Sequence, residues 1–211
     1  MAVQTNHEAL TVSLIKANAS LAKLDATKTA TNREKIFYAN LVETFKLTYV
    51  IRELVKPAED QRLLSSEPME ALARLLYERS LLVRRLEKFE GEEPFLRFLK
   101  TSDDSMAAKW SDHQKRHGDI GAKQLPPYRN MADDVDPTGE STKIYHQMSH
   151  LAHPRTSIPY FVTEATQCKL RKITVHQYFD LRCFQIVPVV QTAVDQICSV
   201  ADRELVRLLK V

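Results

Sequence analysis

The sequence predicts an all-α, up-and-down helical bundle of about five to six helices, with a long loop at about 118–139. Three observations predict it. Apolar residues recur at three- and four-residue spacing along most of the chain, the period of helices that bury one face. Only 4 of 211 residues are glycine, too few for the many tight turns of an all-β chain. Most of the glycines and prolines fall between the periodic stretches, where they punctuate rather than interrupt.

The elements follow in order. Over 3–26, Leu10, Leu14, Ala17, Leu21 and Leu24 hold one helical face. After a polar break at 27–31, Thr31 or Asn32 caps a second helix that Pro57 stops. Ser66-Glu67-Pro68 reads as a third start, a cap and an acid followed by a first-turn proline, with Gly91 at the end. Pro94 opens a fourth helix to about His117. The loop at 118–139 holds three of the glycines and three prolines. A fifth helix covers about Glu140 to Ala152 and stops before Pro154. Residues 155–172 fit either a short strand or an ordered loop. The last helix spans about 174–210, with Pro188 expected to kink it.

The totals bound the class. The chain supports one domain over 1–211, with 1–30 readable as an N-terminal helical appendage. Neither G-x-G-x-x-G nor G-x-x-x-x-G-K-[ST] occurs, so no Gly-rich phosphate loop is spelled out. A net charge of +3 permits an acidic partner without requiring one. Three cysteines, Cys168, Cys183 and Cys198, form no C-x-x-C and no even set, which points to reduced thiols in a cytoplasmic setting. Cys183 and Cys198 read as small core residues. The N-terminus has no basic segment leading into an apolar run, and no apolar stretch of about 18 residues is expected to span a membrane.

The third helix is apolar on most sides and still carries Arg74, Glu78 and Arg79. Buried charge is costly unless paired. Arg74 and Glu78, four residues apart, can pair with each other. Arg79 needs a partner from another element. The trio reads either as a structural ion-pair network or as one wall of a polar site.

Histidines raise a second candidate. His146, His150 and His153 share one side of the fifth helix, opposite Ile144, Tyr145, Met148, Leu151 and Ala152. His113 and His117 form another four-residue pair. Converging, these five imidazoles would suit zinc or a similar transition metal. No H-E-x-x-H or E-x-x-H accompanies them, so the expectation is no cofactor, with a metal as the alternative.

Two stretches carry a resemblance. "ARLLYERSLLVRRL" holds Arg74 and Glu78, and "YHQMSHLAHP" spaces Tyr145, Ser149 and His153 four apart. Together they resemble a prokaryotic all-helical family catalogued as a domain of unknown function, over about residues 35–205. That family is similar in layout to HEPN domains, many of which are metal-independent ribonucleases of defence and toxin–antitoxin systems. The resemblance implies a polar centre of Arg74, Glu78 and His153, supported by Arg79, Tyr145 and Ser149. The HEPN hallmark of arginine, four to six residues, then histidine has a counterpart in "RKITVH", with Arg171 and His176. Lys172 follows the arginine where Asn, Asp or His is usual.

Three functional readings follow: an RNA-directed or defence-associated protein with ribonuclease-type chemistry, a non-catalytic interaction module of a larger complex, and a histidine-rich metal-binding bundle. Basic residues lack the interleaved aromatics of a stacking platform, and no helix-turn-helix or zinc-finger spacing occurs, so sequence-specific DNA binding is not expected. The last helix is rich in apolar residues (Phe179, Leu181, Phe184, Ile186, Val187, Val189, Val190, Ile197), which predicts a homodimer or a protein partner.

Overall fold

The computed structural model describes residues 2–25, 32–55, 62–88, 128–152, 174–208 and a few positions between 166 and 172. It contains α1 (Ala2–Asp25), α2 (Asn32–Val55), α3 (Arg62–Lys88), α4 (Tyr128–Val135), α5 (Glu140–Ala152) and α6 (Val175–Leu208). The described residues form an all-α bundle without strands.

Buried residues explain the helices. On α2, Phe37, Leu41, Thr44, Thr48, Ile51 and Val55 are buried at alternating four- and three-residue steps, so one stripe faces the core. On α6, Cys183, Val187, Val190, Val194, Ile197, Ala201 and Glu204 repeat the pattern. Two threonines are tolerated in the α2 stripe because each hydroxyl donates one turn back, Thr44 to the Asn40 carbonyl at 2.6 Å and Thr48 to the Thr44 carbonyl at 2.7 Å. The cysteines at 183 and 198 are free thiols in the core, as the pattern predicts.

Ion pairs and chain reach set the directions. Seven residue steps span about 25 Å at most, against about 36 Å for a 24-residue helix such as α1. Packed neighbours joined so briefly, α1 to α2 and α2 to α3, must therefore run antiparallel. Lys16 pairs with Asp195 and Lys23 with Asp202, both advancing, so α1 and α6 run parallel. Glu70 pairs with Arg182 and Glu87 with Arg203, so α3 and α6 also run parallel. α5 descends along α3: Ser141 meets Tyr77 and Arg84, and Tyr145 meets Arg74. The long helices alternate up, down, up, down, up.

The structure corrects two expectations, the start of α3 and the loop at 118–139. α3 begins at Arg62, so Pro68 lies inside it. "RLLSSE" contains no breaker, and the helix extends upstream of the cap-like signal. The stretch read as loop up to 139 contains α4, because Tyr128, Met131, Ala132 and Val135 have the spacing of one helical face and pack on the core. α6 is a single helix that contains Pro188, the residue expected to kink it. From Arg182 to Arg207 it is long and apolar enough by length and composition to cross a membrane, which the sequence reading did not expect, and half of that stretch is buried in the bundle. The expected helix at 94–117 and the alternatives for most of 155–172 lie outside the described residues.

Candidate functional site

The α4–α5 hairpin is clamped to the end of α3, and this clamp positions the polar centre. Tyr77 donates its hydroxyl to the Ser141 carbonyl at 3.1 Å. Arg84 donates to the Ser141 hydroxyl at 3.0 Å and to the Val135 carbonyl at 3.2 Å. Arg85 pairs with the Asp134 carboxylate. At the hairpin's tip, Asp136 accepts from the Ser141 amide at 2.9 Å and from the Thr138 hydroxyl at 2.6 Å. The first amides of α5 have no intrahelical partner, and Asp136 satisfies one of them. These bonds, the Thr138 hydroxyl foremost, hold the Asp136 carboxyl well below the usual carboxylate range.

Three of the expected residues meet on this scaffold. Arg74 Nε donates to Glu78 Oε1 at 2.8 Å, the two side chains being 15% and 10% exposed. The Tyr145 ring lies under the guanidinium, 5.8 Å from its carbon to the ring centroid. Tyr128, from α4, joins them. Burial, and next the Glu78 charge, push its phenol up, while Arg79 and Arg74 oppose the shift. Tyr128 therefore stays protonated within electrostatic reach of the ion pair. Its place was readable only once residues 128–135 were seen as a helix.

The arginine is oriented from two sides, by a carboxylate and by an aromatic face. Among the described residues its Nη groups have no hydrogen-bond acceptor. A guanidinium held this way presents a planar pair of donors matched to a phosphate or carboxylate. Arg79 turns elsewhere, to Asn40 Oδ1 at 3.4 Å and Glu43 at 3.8 Å on α2, and is a strut between helices.

The remaining candidates divide by location. Ser149 is half-buried on α5, one turn beyond Tyr145. His146 is half-exposed, its ring 6.1 Å from that of Tyr145. His150 lies on α5 and His176 near the start of α6. His153, Arg171, His113 and His117 lie outside the described residues. Among the described residues no group of three or more His, Cys, Asp or Glu side chains is placed to hold a metal ion.

The fold and site together define a class: a helical bundle with a partly buried arginine–glutamate–tyrosine centre where a helical hairpin packs on its third helix. Comparison with protein-family models, with curated proteins and with solved structures finds no match.

Proposed function

We propose that this chain is a cytoplasmic, RNA-directed protein of HEPN-like type, with metal-independent ribonuclease-type chemistry at the Arg74–Glu78–Tyr145 centre. The observation that carries this reading is the Arg74 guanidinium, fixed by Glu78 and Tyr145 with both Nη groups unengaged among the described residues. In such chemistry a histidine takes the proton from a ribose 2′-hydroxyl. The 2′-oxygen attacks phosphorus, and the 5′-oxygen leaves and is protonated, giving a 2′,3′-cyclic phosphate and a 5′-hydroxyl. Arginine stabilises the charge on the phosphoryl oxygens as it builds. His153 and His176 are the histidines assigned to the proton transfer, the latter with Arg171.

The test is RNA cleavage by the purified chain, with and without EDTA, for wild type, Arg74→Met, His153→Ala and His176→Ala. EDTA-resistant cleavage lost in Arg74→Met and in one histidine variant supports the proposal and selects the base. Cleavage abolished by EDTA transfers the function to a metal held by the histidines at 113, 117, 146, 150 and 153. No cleavage in any arm rejects the ribonuclease reading.

One observation favours a second reading, a protein-interaction module. Val12 and Ile15 are 64% and 65% exposed on the outward face of α1, where Ala19 and Ala22 continue an uncharged stripe. Of the eight apolar residues that first suggested association through α6, Ile186, Val187, Val190 and Ile197 are instead buried in the chain's own core. Phe184, 69% exposed, remains outward. Light scattering of wild type and Val12→Asp/Ile15→Asp over a micromolar concentration range tests this reading. A mass that is monomeric throughout counts against self-association.

A further inference from the structure

The cleavage chemistry proposed above needs two proton transfers. A base takes the proton of the 2′-hydroxyl, and a second group must give a proton to the 5′-oxygen as it leaves. The two oxygens stand roughly in line on opposite sides of phosphorus, so the two groups approach from different sides.

Most ionisable groups of the described centre are poor proton donors for that step. Glu78 is engaged as the counter-charge of Arg74, 2.8 Å from its Nε. Burial, and next the Glu78 charge, make the Tyr128 phenol a weaker acid than usual. Arg74 keeps its proton at any working pH.

His146 differs from all of these. It follows Tyr145 on α5, and the two rings lie 6.1 Å apart, tilted by 59°. The Arg74 guanidinium stands over the same Tyr145 ring at 5.8 Å. Arg74 and His146 are thus neighbours of one ring, and those two distances together bound their separation. A phosphodiester with its flanking sugars is long enough to bridge such a gap. His146 is half-exposed, so a substrate can reach it. Among the described residues neither of its ring nitrogens has a hydrogen-bond partner. Imidazole is the side chain that both holds and yields a proton near neutral pH.

We infer that His146 donates the proton to the leaving 5′-oxygen, an assignment that rests on the ribonuclease-type reading of the Arg74–Glu78–Tyr145 centre. As the 2′-oxygen closes on phosphorus, the bond from phosphorus to the 5′-oxygen breaks. The electron pair of that bond stays on the 5′-oxygen and takes the imidazolium proton. A 2′,3′-cyclic phosphate, a 5′-hydroxyl and a neutral His146 result. The proton from the 2′-hydroxyl remains on the base, so the protons balance and no further reactant is consumed.

The experiment compares two substrates in the presence of EDTA. One is an RNA, and the other is the same RNA with sulfur replacing the 5′-oxygen of the cleaved linkage. The thiolate leaves without needing a proton. Wild type, His146→Ala, His146→Gln and Arg74→Met are assayed on both, with thermal melts to verify folding. His146→Ala should cleave ordinary RNA about a hundredfold or more slowly than wild type. On the thio substrate its deficit should shrink by about tenfold or more. Arg74→Met should lose cleavage of both, because charge builds on the phosphoryl oxygens in either case.

A folded His146→Ala that cleaves ordinary RNA at the wild-type rate overturns the inference, and loss of cleavage in Arg74→Met then leaves the ribonuclease reading standing. An equal deficit on the two substrates also overturns it, since loss of a base or of a structural part slows both alike. Where His146→Ala does not fold, His146→Gln carries the same comparison. Wild type inert on both substrates rejects the ribonuclease reading, and the assignment of His146 with it.

Discussion

Glu70 and Arg182 meet across the α3–α6 interface, Oε1 to Nε at 3.0 Å, with side chains 4% and 6% exposed. Beside them the sulfurs of Met69 and Cys183 lie 4.0 Å apart, so the ion pair is walled by apolar atoms. A pair this deep gains its stability against a large desolvation cost, and removing one partner leaves the other as uncompensated buried charge. Glu70→Ala should therefore destabilise the fold by about 3–5 kcal/mol. Glu70→Leu combined with Arg182→Met should regain most of that loss, since buried pairs are often replaceable by packed apolar residues. Urea denaturation of the three proteins checks this. A double variant as unstable as Glu70→Ala would show that the pair has a role beyond mutual neutralisation.

The turn into α5 makes a sharper demand on one residue. Gly139 has φ +77°, the left-handed region, and an added Cβ there would meet no atom within 4 Å. The cost of Gly139→Ala is thus conformational, about 1–2 kcal/mol. Asn enters this region more readily than Ala, so Gly139→Asn should cost clearly less. Equal losses in the two variants would point to something other than backbone conformation.

Asp136 gives that same turn a pH dependence. Its carboxyl stays ionised in the folded state well below the usual range, whereas in the unfolded chain it titrates near about 3.9. The folded protein thus binds fewer protons between those two values. The stabilisation is complete above the unfolded value and is lost as pH falls through the folded one. Asp136→Ala should cost about 0.5–2 kcal/mol at neutral pH, the usual range for a helix cap. Denaturation curves at several pH values should show wild type and variant converging as the solution is acidified below about pH 4.

Periodicity made the long helices legible because their cores are built from steps of three and four, as at Phe37, Leu41, Thr44, Thr48, Ile51 and Val55. The Arg74–Glu78 pair was legible for a related reason: four residues bring two side chains together within one helix. α4 was hidden because its Tyr128, Met131, Ala132 and Val135 sit in a proline- and glycine-rich stretch. Glu70 was not picked out at all, because its partner lies on a distant helix and no local spacing links the two.

The polar centre itself offers a measurement that separates its electrostatics from its chemistry. The Glu78 carboxylate both anchors Arg74 and raises the Tyr128 phenol. Glu78→Gln keeps the shape and removes the charge. It should cost about 1–3 kcal/mol, less than loss of a fully buried pair because both side chains retain some exposure. The Tyr128 titration, followed by NMR of ring-labelled tyrosine, should move down while staying above its ordinary value, because burial is the larger cause of its elevation and is unchanged. Tyr77 is raised chiefly by burial and has no contribution from Glu78, so it serves as the internal control and should not move. A Tyr128 titration unaltered by the substitution would separate α4 from the Arg74–Glu78 pair and reduce the centre to α3 and α5.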